Sequence, residues 1–259
     1  IHNSLTLSNN SHGFNHIIVG TSENKKIING VWFNMKYIVS SEMKNKIDAN
    51  FYYSALMFEI KSKVINFGIS RNILSGGNPN IQWGFKDAFS SIINQKNNEY
   101  WDIYNNYYLL LDFYKDQLKI YGELAIPTRS YGDNNPANYW LHATGSNIGF
   151  RKKDILNNKY LLFGIEYTRL LQSSYYSQIP SQNWFDNYKF NYSSYNNRRW
   201  SAHSGSDSDD MYLFFGYDNN NVSIIYGINY ERHGVTYKFP PEVKLESRLA
   251  VKYLSDILN

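Results

Sequence analysis

The sequence contains no cysteine, only six prolines in 259 residues, and no long apolar run. Without cysteine the chain forms no disulfide framework and no cysteine-ligated zinc site. No stretch approaches the roughly 18 consecutive apolar residues of a transmembrane helix, which argues against such a helix. The formal charge of +4 is scattered in short runs such as 44–48 and 151–154. A continuous basic stripe is missing, which argues against a nucleic-acid partner.

What the sequence has instead is period-two alternation of apolar and polar residues. Segment 242–254 places Val243, Leu245 and Leu249 on one face of an extended strand and Lys244 and Arg248 on the other. Such alternation is typical of a β-strand with one apolar and one polar face. The same pattern recurs in three further segments: 30–39, 159–169 and 221–231.

Short and long connections alternate between these strands. Tight hairpin turns are predicted at 61–63, at 115–117 and at the Asp-Asn run after residue 217. Longer segments separate the hairpins: 72–106, 126–138 and 170–209. Strands of about ten residues joined in this way are typical of an outer-membrane barrel. The sequence therefore predicts an all-β fold, an antiparallel up-and-down transmembrane β-barrel with about ten or eleven strands and long loops.

The alternatives to a membrane barrel are a soluble β-sandwich and a β-propeller. Either would use shorter strands, nearer five or six residues. The strand at 139–150 has no cleanly apolar face, so its position is the least defined. Segment 84–95 predicts a short loop helix with one apolar face, formed by Phe85, Ala88, Phe89 and Ile92. Residues 1–259 are expected to form one barrel domain, a fragment lacking N-terminal strands and a leader.

An acidic cluster, Asp207, Asp209 and Asp210, precedes the aromatic segment 211–217. An EF-hand calcium loop needs an oxygen ligand at its fifth position and glycine at its sixth. Counted from Asp207, those positions hold Met211 and Tyr212, so the EF-hand pattern fails. A looser calcium site that uses Asp207 and Asp209 stays open. The favoured interpretation is a solvated loop or barrel-rim element, because Ser, Gly and Asp favour turns.

Catalytic motifs are missing from the sequence. It has no G-x-S-x-G nucleophile elbow and no H-E-x-x-H zinc helix. A membrane-embedded hydrolase that uses His203 with a nearby serine or aspartate is kept as an alternative, since such catalysis is recognised by geometry rather than spacing. We expect no catalytic residue, no metal and no cofactor, and we do not expect an enzyme.

The long segments combine aromatic, amide and arginine side chains, as in 175–200 and 71–104. Aromatic rings stack on the C–H faces of sugars, while arginine, asparagine and aspartate bond hydroxyls and carboxylates. This composition predicts carbohydrate binding, with an acidic glycan as the partner. The candidate contacts are Arg71, Trp83, Trp184, Arg198, Arg199 and Trp200.

Two separated segments, 67–89 and 195–217, resemble the Wzi-type capsule assembly proteins. The first, FGISRNILSGGNPNIQWGFKDAF, is a strand ending in Ser-Arg before a Gly-Gly loop. In the second, YNNRRWSAHSGSDSDDMYLFFGY, a Tyr- and Arg-rich strand runs into a His/Gly/Asp loop and another strand. The resemblance implies the later part of an outer-membrane barrel of about eighteen strands, a non-enzymatic lectin that holds capsular polysaccharide on the cell surface.

The resulting expectation is a protein of the outer membrane of a Gram-negative-type bacterium. It binds capsular or other surface polysaccharide, takes part in capsule assembly or attachment, and contacts outer-membrane lipid. The main alternative is a diffusion channel built from the same barrel, whose polar inner face would pass solutes.

Overall fold

The computed structural model describes residues 14–80, 82–91, 101–113, 117–127, 145–170, 194–195, 198–199, 207–219, 221–235 and 240–253. The first strands are β1 (His16–Gly20), β2 (Lys25–Ile28), β3 (Val31–Ser40), β4 (Met43–Lys44), β5 (Asn50–Ser62) and β6 (Ile65–Gly76), followed by helix α1 (Phe85–Ser90). Then come β7 (Trp101–Phe113), β8 (Leu118–Pro127), β9 (Gly145–Ile155) and β10 (Asn158–Leu170). The last are β11 (Ser194–Tyr195), β12 (Arg198–Arg199), β13 (Ser208–Asp218), β14 (Val222–His233) and β15 (Glu242–Tyr253).

The described strands confirm an all-β, antiparallel fold. Eleven of them follow one path, in the order β1-β3-β5-β6-β7-β8-β9-β10-β13-β14-β15, and β2 and β4 pair with β3 and β5. Every neighbouring pair in the path is antiparallel. Strands β1 and β15 are the two edges, and the described residues do not join them. The sheet is therefore open and compatible with a barrel.

Five short hairpin connections lie at one end of the sheet, which we call the turn end. They are 29–30, 63–64, 114–117, 156–157 and 219–221. Both residues of the 156–157 turn have positive φ, as a two-residue hairpin turn of type I′ requires. The connections at the opposite end, the loop end, are longer: 41–49, 77–100, 128–144, 171–207 and 234–241. The predicted alternation of tight hairpins and long connections is thus confirmed.

The two faces of the sheet differ in chemistry and in burial. On one face, the apolar face, the side chains of β13 and β15 include Met211, Phe215 and Leu249, and these are exposed. On the other, the polar face, Glu166 and Glu231 are almost fully buried. A single sheet buries one face and exposes the other when it curls around the buried side. Here the buried side is the polar one, the reverse of a soluble β-sandwich.

The single described helix, α1, is shorter than the predicted segment 84–95 and covers six residues. Its Ala88 is buried against Val39 and Tyr52 of the apolar face at the loop end. Phe85 and Phe89 lie on one side of the helix as predicted, with ring centroids 6.4 Å apart, and both rings are partly exposed. Ile92 of the predicted face lies outside the described residues. None of the helical residues described here forms a segment long and apolar enough to cross a membrane.

The sequence pattern places strand β9 poorly. It predicts a strand at 139–150, whereas the observed strand is Gly145–Ile155. Its polar face carries Gly145, Asn147 and Gly149, so neither face shows a clean apolar or charged series. The basic run 151–154 belongs to this strand rather than to a loop, since only residues 156–157 turn.

Candidate functional site

A tyrosine laid across a glycine is the first recurrent feature of the polar face. Tyr121, Gly149 and Glu166 are direct neighbours on β8, β9 and β10. The Tyr121 ring passes over Gly149, and its hydroxyl donates to Glu166 Oε2 at 2.6 Å. A Cβ on residue 149 would overlap that ring, so glycine is required there. The carboxylate of Glu166, 1% exposed, thereby obtains a donor from two strands away.

The same arrangement occurs on three earlier strands. Tyr108 of β7 is opposite Gly68 of β6, which is opposite Glu59 of β5. The Tyr108 ring covers Gly68, and its hydroxyl lies on the side of Glu59. This arrangement of a tyrosine, a glycine and a glutamate on three adjacent strands, which we call the Tyr-Gly-Glu device, thus occurs twice. Its recurrence indicates that these glycines make room for the tyrosine ring, which fills the space of the missing side chain on the curled face.

A second network joins β13, β14 and β15. Asn229 Nδ2 donates to Glu231 Oε1 at 2.6 Å and to Asp210 Oδ2 at 3.4 Å. Nε2 of His233 lies 3.0 Å from Glu231 Oε2, and Nζ of Lys244 lies 3.9 Å from the same oxygen. These carboxylates are buried and held by neighbouring side chains, as burial of charge requires. The network consequently stabilises the strands. Because its carboxylates are buried and already bonded, the long connections at the loop end are the better candidates for ligand contacts.

The acidic cluster lies at the loop-end start of β13, as a rim element would, but it is buried rather than solvated. Asp207, Asp209 and Asp210 are all buried, and the last two lie inside β13. The alternation of the strand sends Asp210 to the polar face and Asp209 to the apolar face. Arg232 Nε donates to Asp209 Oδ1 at 2.7 Å, and Arg232 Nη2 contacts Oδ2. The cluster is explained by its position at the start of β13, where Arg232 pairs with Asp209. Turn propensity depends on the local segment alone and takes no account of the partner strands.

No metal centre is formed by the described part of the chain, where no three histidine, aspartate or glutamate side chains converge suitably. The looser calcium site drawn from Asp207 and Asp209 also meets a chemical obstacle. Asp209 is already bound by the guanidinium of Arg232. A calcium ion would have to compete with that bidentate pair.

The polar face is closed at the loop end by an apolar cluster. Buried Phe14, Met43, Phe51, Tyr53 and Leu74 pack together there. The Phe14 and Tyr53 rings meet edge to face with centroids 5.6 Å apart. Ala125 and Leu170 join the cluster from β8 and β10. Apolar side chains thus cover the polar face near the loop end of the described sheet.

Two of the six predicted carbohydrate contacts lie among residues with described side chains, and both belong to the apolar face. Arg71 lies within β6, between Leu56 and Asn105 of the adjacent strands. Trp83 precedes α1, and its Nε1 donates to Ser75 Oγ at 3.2 Å. Trp83 also packs against the buried cluster beneath the helix. Its position is explained by that packing, and Arg71 is a strand residue rather than a loop residue.

The other four predicted contacts belong to the connection between β10 and β13. Arg198 and Arg199 form β12, which pairs with β11 in a separate two-stranded sheet. Trp184 and Trp200 lie outside the described residues, as does His203 of the hydrolase alternative. The connection itself begins and ends at the loop end, because β10 ends and β13 begins there.

Sequence reasoning missed the Tyr-Gly-Glu devices, although a signal for them was present. A glycine in the middle of a strand marks a bulge or a close approach. Gly68 and Gly149 both have this context. The partner rings belong to other strands, however, and only the register brings each ring over its glycine.

No protein-family model, curated protein or solved structure matches the chain. The functional argument therefore depends on the two faces of the sheet, its two ends, and the composition of the connections.

Proposed function

We propose that this chain forms the wall of an outer-membrane β-barrel that binds a surface polysaccharide through its loop end. The observation that carries the proposal is the inverted burial of the sheet. Exposed Phe163, Phe215 and Tyr226 form adjacent members of an apolar band, while the opposite face buries carboxylates and amides. Lipid solvates such a band, whereas water penalises it.

The two ends support the same proposal. Short turns at one end and long connections at the other correspond to the periplasmic and extracellular sides of outer-membrane barrels. Helix α1 adds exposed Phe85 and Phe89 beside the apolar band at the loop end. Tyr37 fixes the helix there by donating to the Phe89 carbonyl at 2.6 Å. Exposed rings at this height are suited to the boundary between lipid and water.

The directions of the edge strands bear on closure of the barrel. Because eleven antiparallel strands form the path, β1 and β15 run in the same direction. Antiparallel closure then takes an odd number of further strands between these edges. A barrel of about eighteen strands, the size implied by the resemblance to Wzi-type proteins, adds about seven, and an even total is the rule for such barrels.

Carbohydrate binding is assigned to the connection 171–207 at the loop end. Its aromatic and arginine residues combine stacking surfaces with bidentate donors for carboxylates. The polar face itself is a poor alternative site, because Glu166 and Glu231 are buried and bonded to neighbours. The expected ligand is an acidic polysaccharide of the capsular type.

Trp200→Ala and Arg199→Ala are each expected to weaken polysaccharide binding about tenfold, the effect of removing one aromatic or arginine anchor from an interface. Binding of an acidic capsular polysaccharide is measured by calorimetry on the detergent-folded full-length protein, which on this proposal carries the strands that close the barrel and is the sample in every later experiment. Trp32→Ala, at the turn end, is the matched control and should bind normally. A heat-modifiable band on electrophoresis checks that every variant is folded. Undiminished binding by both loop variants would remove these residues from the site.

The channel alternative predicts a different electrical behaviour. The chain folded into a planar bilayer is expected to show no large, steady conductance steps, because the Phe51–Leu74 cluster fills the polar face at the loop end. Phe51→Ala combined with Leu74→Ala should raise conductance if that cluster is the obstruction. Large openings of the unaltered chain would instead favour the diffusion channel.

A further inference from the structure

The apolar face ends in charged residues towards the loop end, with Arg71 two residues further along its strand than the row that contains Arg169. In β10 the uncharged series Leu161, Phe163, Ile165, Tyr167 is followed by Arg169. In β13 the series that begins at Met211 is preceded by Asp209, and in β14 the series that ends at Tyr230 is followed by Arg232. In β6, Ile65, Phe67 and Ile69 precede Arg71. On three of these four strands the first charged residue beyond the apolar band is arginine, and on the fourth it is aspartate.

Three of these residues form a row across adjacent strands. Arg169 is opposite Asp209, and Asp209 is opposite Arg232. Arg232 holds the Asp209 carboxylate with two nitrogens, and that carboxylate is buried. The charges of Arg232 and Asp209 therefore neutralise each other. Arg169 is exposed, and no hydrogen bond or ion pair links it to another residue within the described ranges. One full positive charge consequently stays available at this point of the rim.

Arg71 provides a second available charge on the same face. Its guanidinium Nε is buried without a hydrogen-bond partner, and no carboxylate is paired with it among the described side chains. Four strand spacings, about 19 Å, separate β6 from β10. Arg71 and Arg169 are therefore two separate contacts along one rim rather than one site.

We infer that Arg71 and Arg169 bind the phosphate groups of an anionic glycolipid in the outer leaflet, of the lipid A type. The inference rests on the proposed orientation, in which the apolar face contacts lipid and the loop end is outermost. Acyl chains would then lie along the apolar band, with the phosphates beyond its loop-end border, beside the arginines. Arginine presents paired N–H donors that match phosphate oxygens, and partial exclusion of water strengthens the contact.

A groove in the apolar face lies at the height expected for an acyl chain. Gly122 has no side chain, and Phe67, Leu109, Leu124 and Ile148 surround the resulting depression of about 380 Å³. Phe67 lies four residues before Arg71 on the same face of β6, a separation of about 13 Å along the strand. A lipid with a phosphate at Arg71 could therefore place a chain in this groove.

The test measures the melting temperature of the detergent-folded chain against added lipid A. Phosphorylated lipid A is expected to raise the melting temperature, while dephosphorylated lipid A and inorganic phosphate should leave it unchanged. Arg71→Gln and Arg169→Gln should each weaken apparent lipid affinity by about tenfold, the effect of losing one charge-assisted hydrogen bond. Lys36→Gln, which removes an exposed cation from the polar face, is the matched control and should behave as the unaltered chain does.

Each outcome separates this inference from the proposed function. Equal lipid affinity of the double variant Arg71→Gln/Arg169→Gln and the unaltered chain would overturn the inference. A shift caused equally by inorganic phosphate would also overturn it, because the site would then recognise a free anion. Heat-modifiability and polysaccharide binding are measured on the same samples. If they persist while the lipid effect is missing, only the lipid contact fails, and if the heat-modifiable form is missing, the barrel itself fails.

Discussion

Gly149→Ala is expected to destabilise the folded chain by about 1–3 kcal/mol, the cost of inserting a group into a filled space and of losing a buried hydrogen bond. The added methyl would occupy the position of the Tyr121 ring. The ring can move only by taking its hydroxyl away from Glu166, to which it donates at 2.6 Å. Urea unfolding of the detergent-folded chain, followed by loss of the heat-modifiable band, measures the change.

Gly122→Ala is the matched control for this substitution. Gly122 lies on the neighbouring strand β8, but its Cβ would point to the apolar face and meet only the Asn147 carbonyl oxygen, at 3.4 Å. Its stability should therefore stay within about 0.5 kcal/mol, as for most surface substitutions. Equal destabilisation by the two alanines would indicate a general loss of strand flexibility and contradict the role assigned to Tyr121.

The contrast between these two glycines shows what the sequence can predict. Alternation identifies the two faces of 30–39, 159–169, 221–231 and 242–254, since side chains on successive residues of a strand point to opposite sides. It also separates the short turns from the long connections. Nothing in the local sequence distinguishes Gly122 from Gly149, because the difference depends on which ring of a neighbouring strand lies above each one.

The structure of the acidic cluster also depends on a neighbouring strand, through the charges that the strand brings near it. The run from Ser204 to Asp210 has the composition of a turn, and considered alone it favours a solvated loop. Pairing with β14 brings Arg232 beside Asp209 and Asn229 near Asp210, and that pairing extends the strand back to Ser208. The partners lie about twenty residues further along the chain, so only the register could identify them. The resemblance and the composition of 175–200 and 71–104 predict a carbohydrate site, and that site stays a prediction.

Leu249→Arg is expected to destabilise the chain by about 2–4 kcal/mol in a lipid bilayer, the range for arginine facing lipid near the middle of a barrel wall. Leu249 is 63% exposed and lies among Leu245, Val251 and the neighbouring Tyr226 on the apolar face. In water, the same exposed leucine would tolerate arginine with little change, because surface substitutions rarely exceed about 0.5 kcal/mol. The size of the destabilisation therefore distinguishes contact of the apolar face with lipid from contact with water.

Ala250→Arg supplies the comparison within one strand. Ala250 follows Leu249 directly, is also exposed, and faces the polar side opposite Ile225. Reversible unfolding of both variants in lipid vesicles should show a large loss for residue 249 and a small one for residue 250. Phe215→Arg repeats the experiment in β13, which has a partner strand on each side. If residues 249 and 250 accept arginine equally, lipid does not contact the apolar face. The lipid A contact would then fail together with the barrel, because both require the same face to be the outer one.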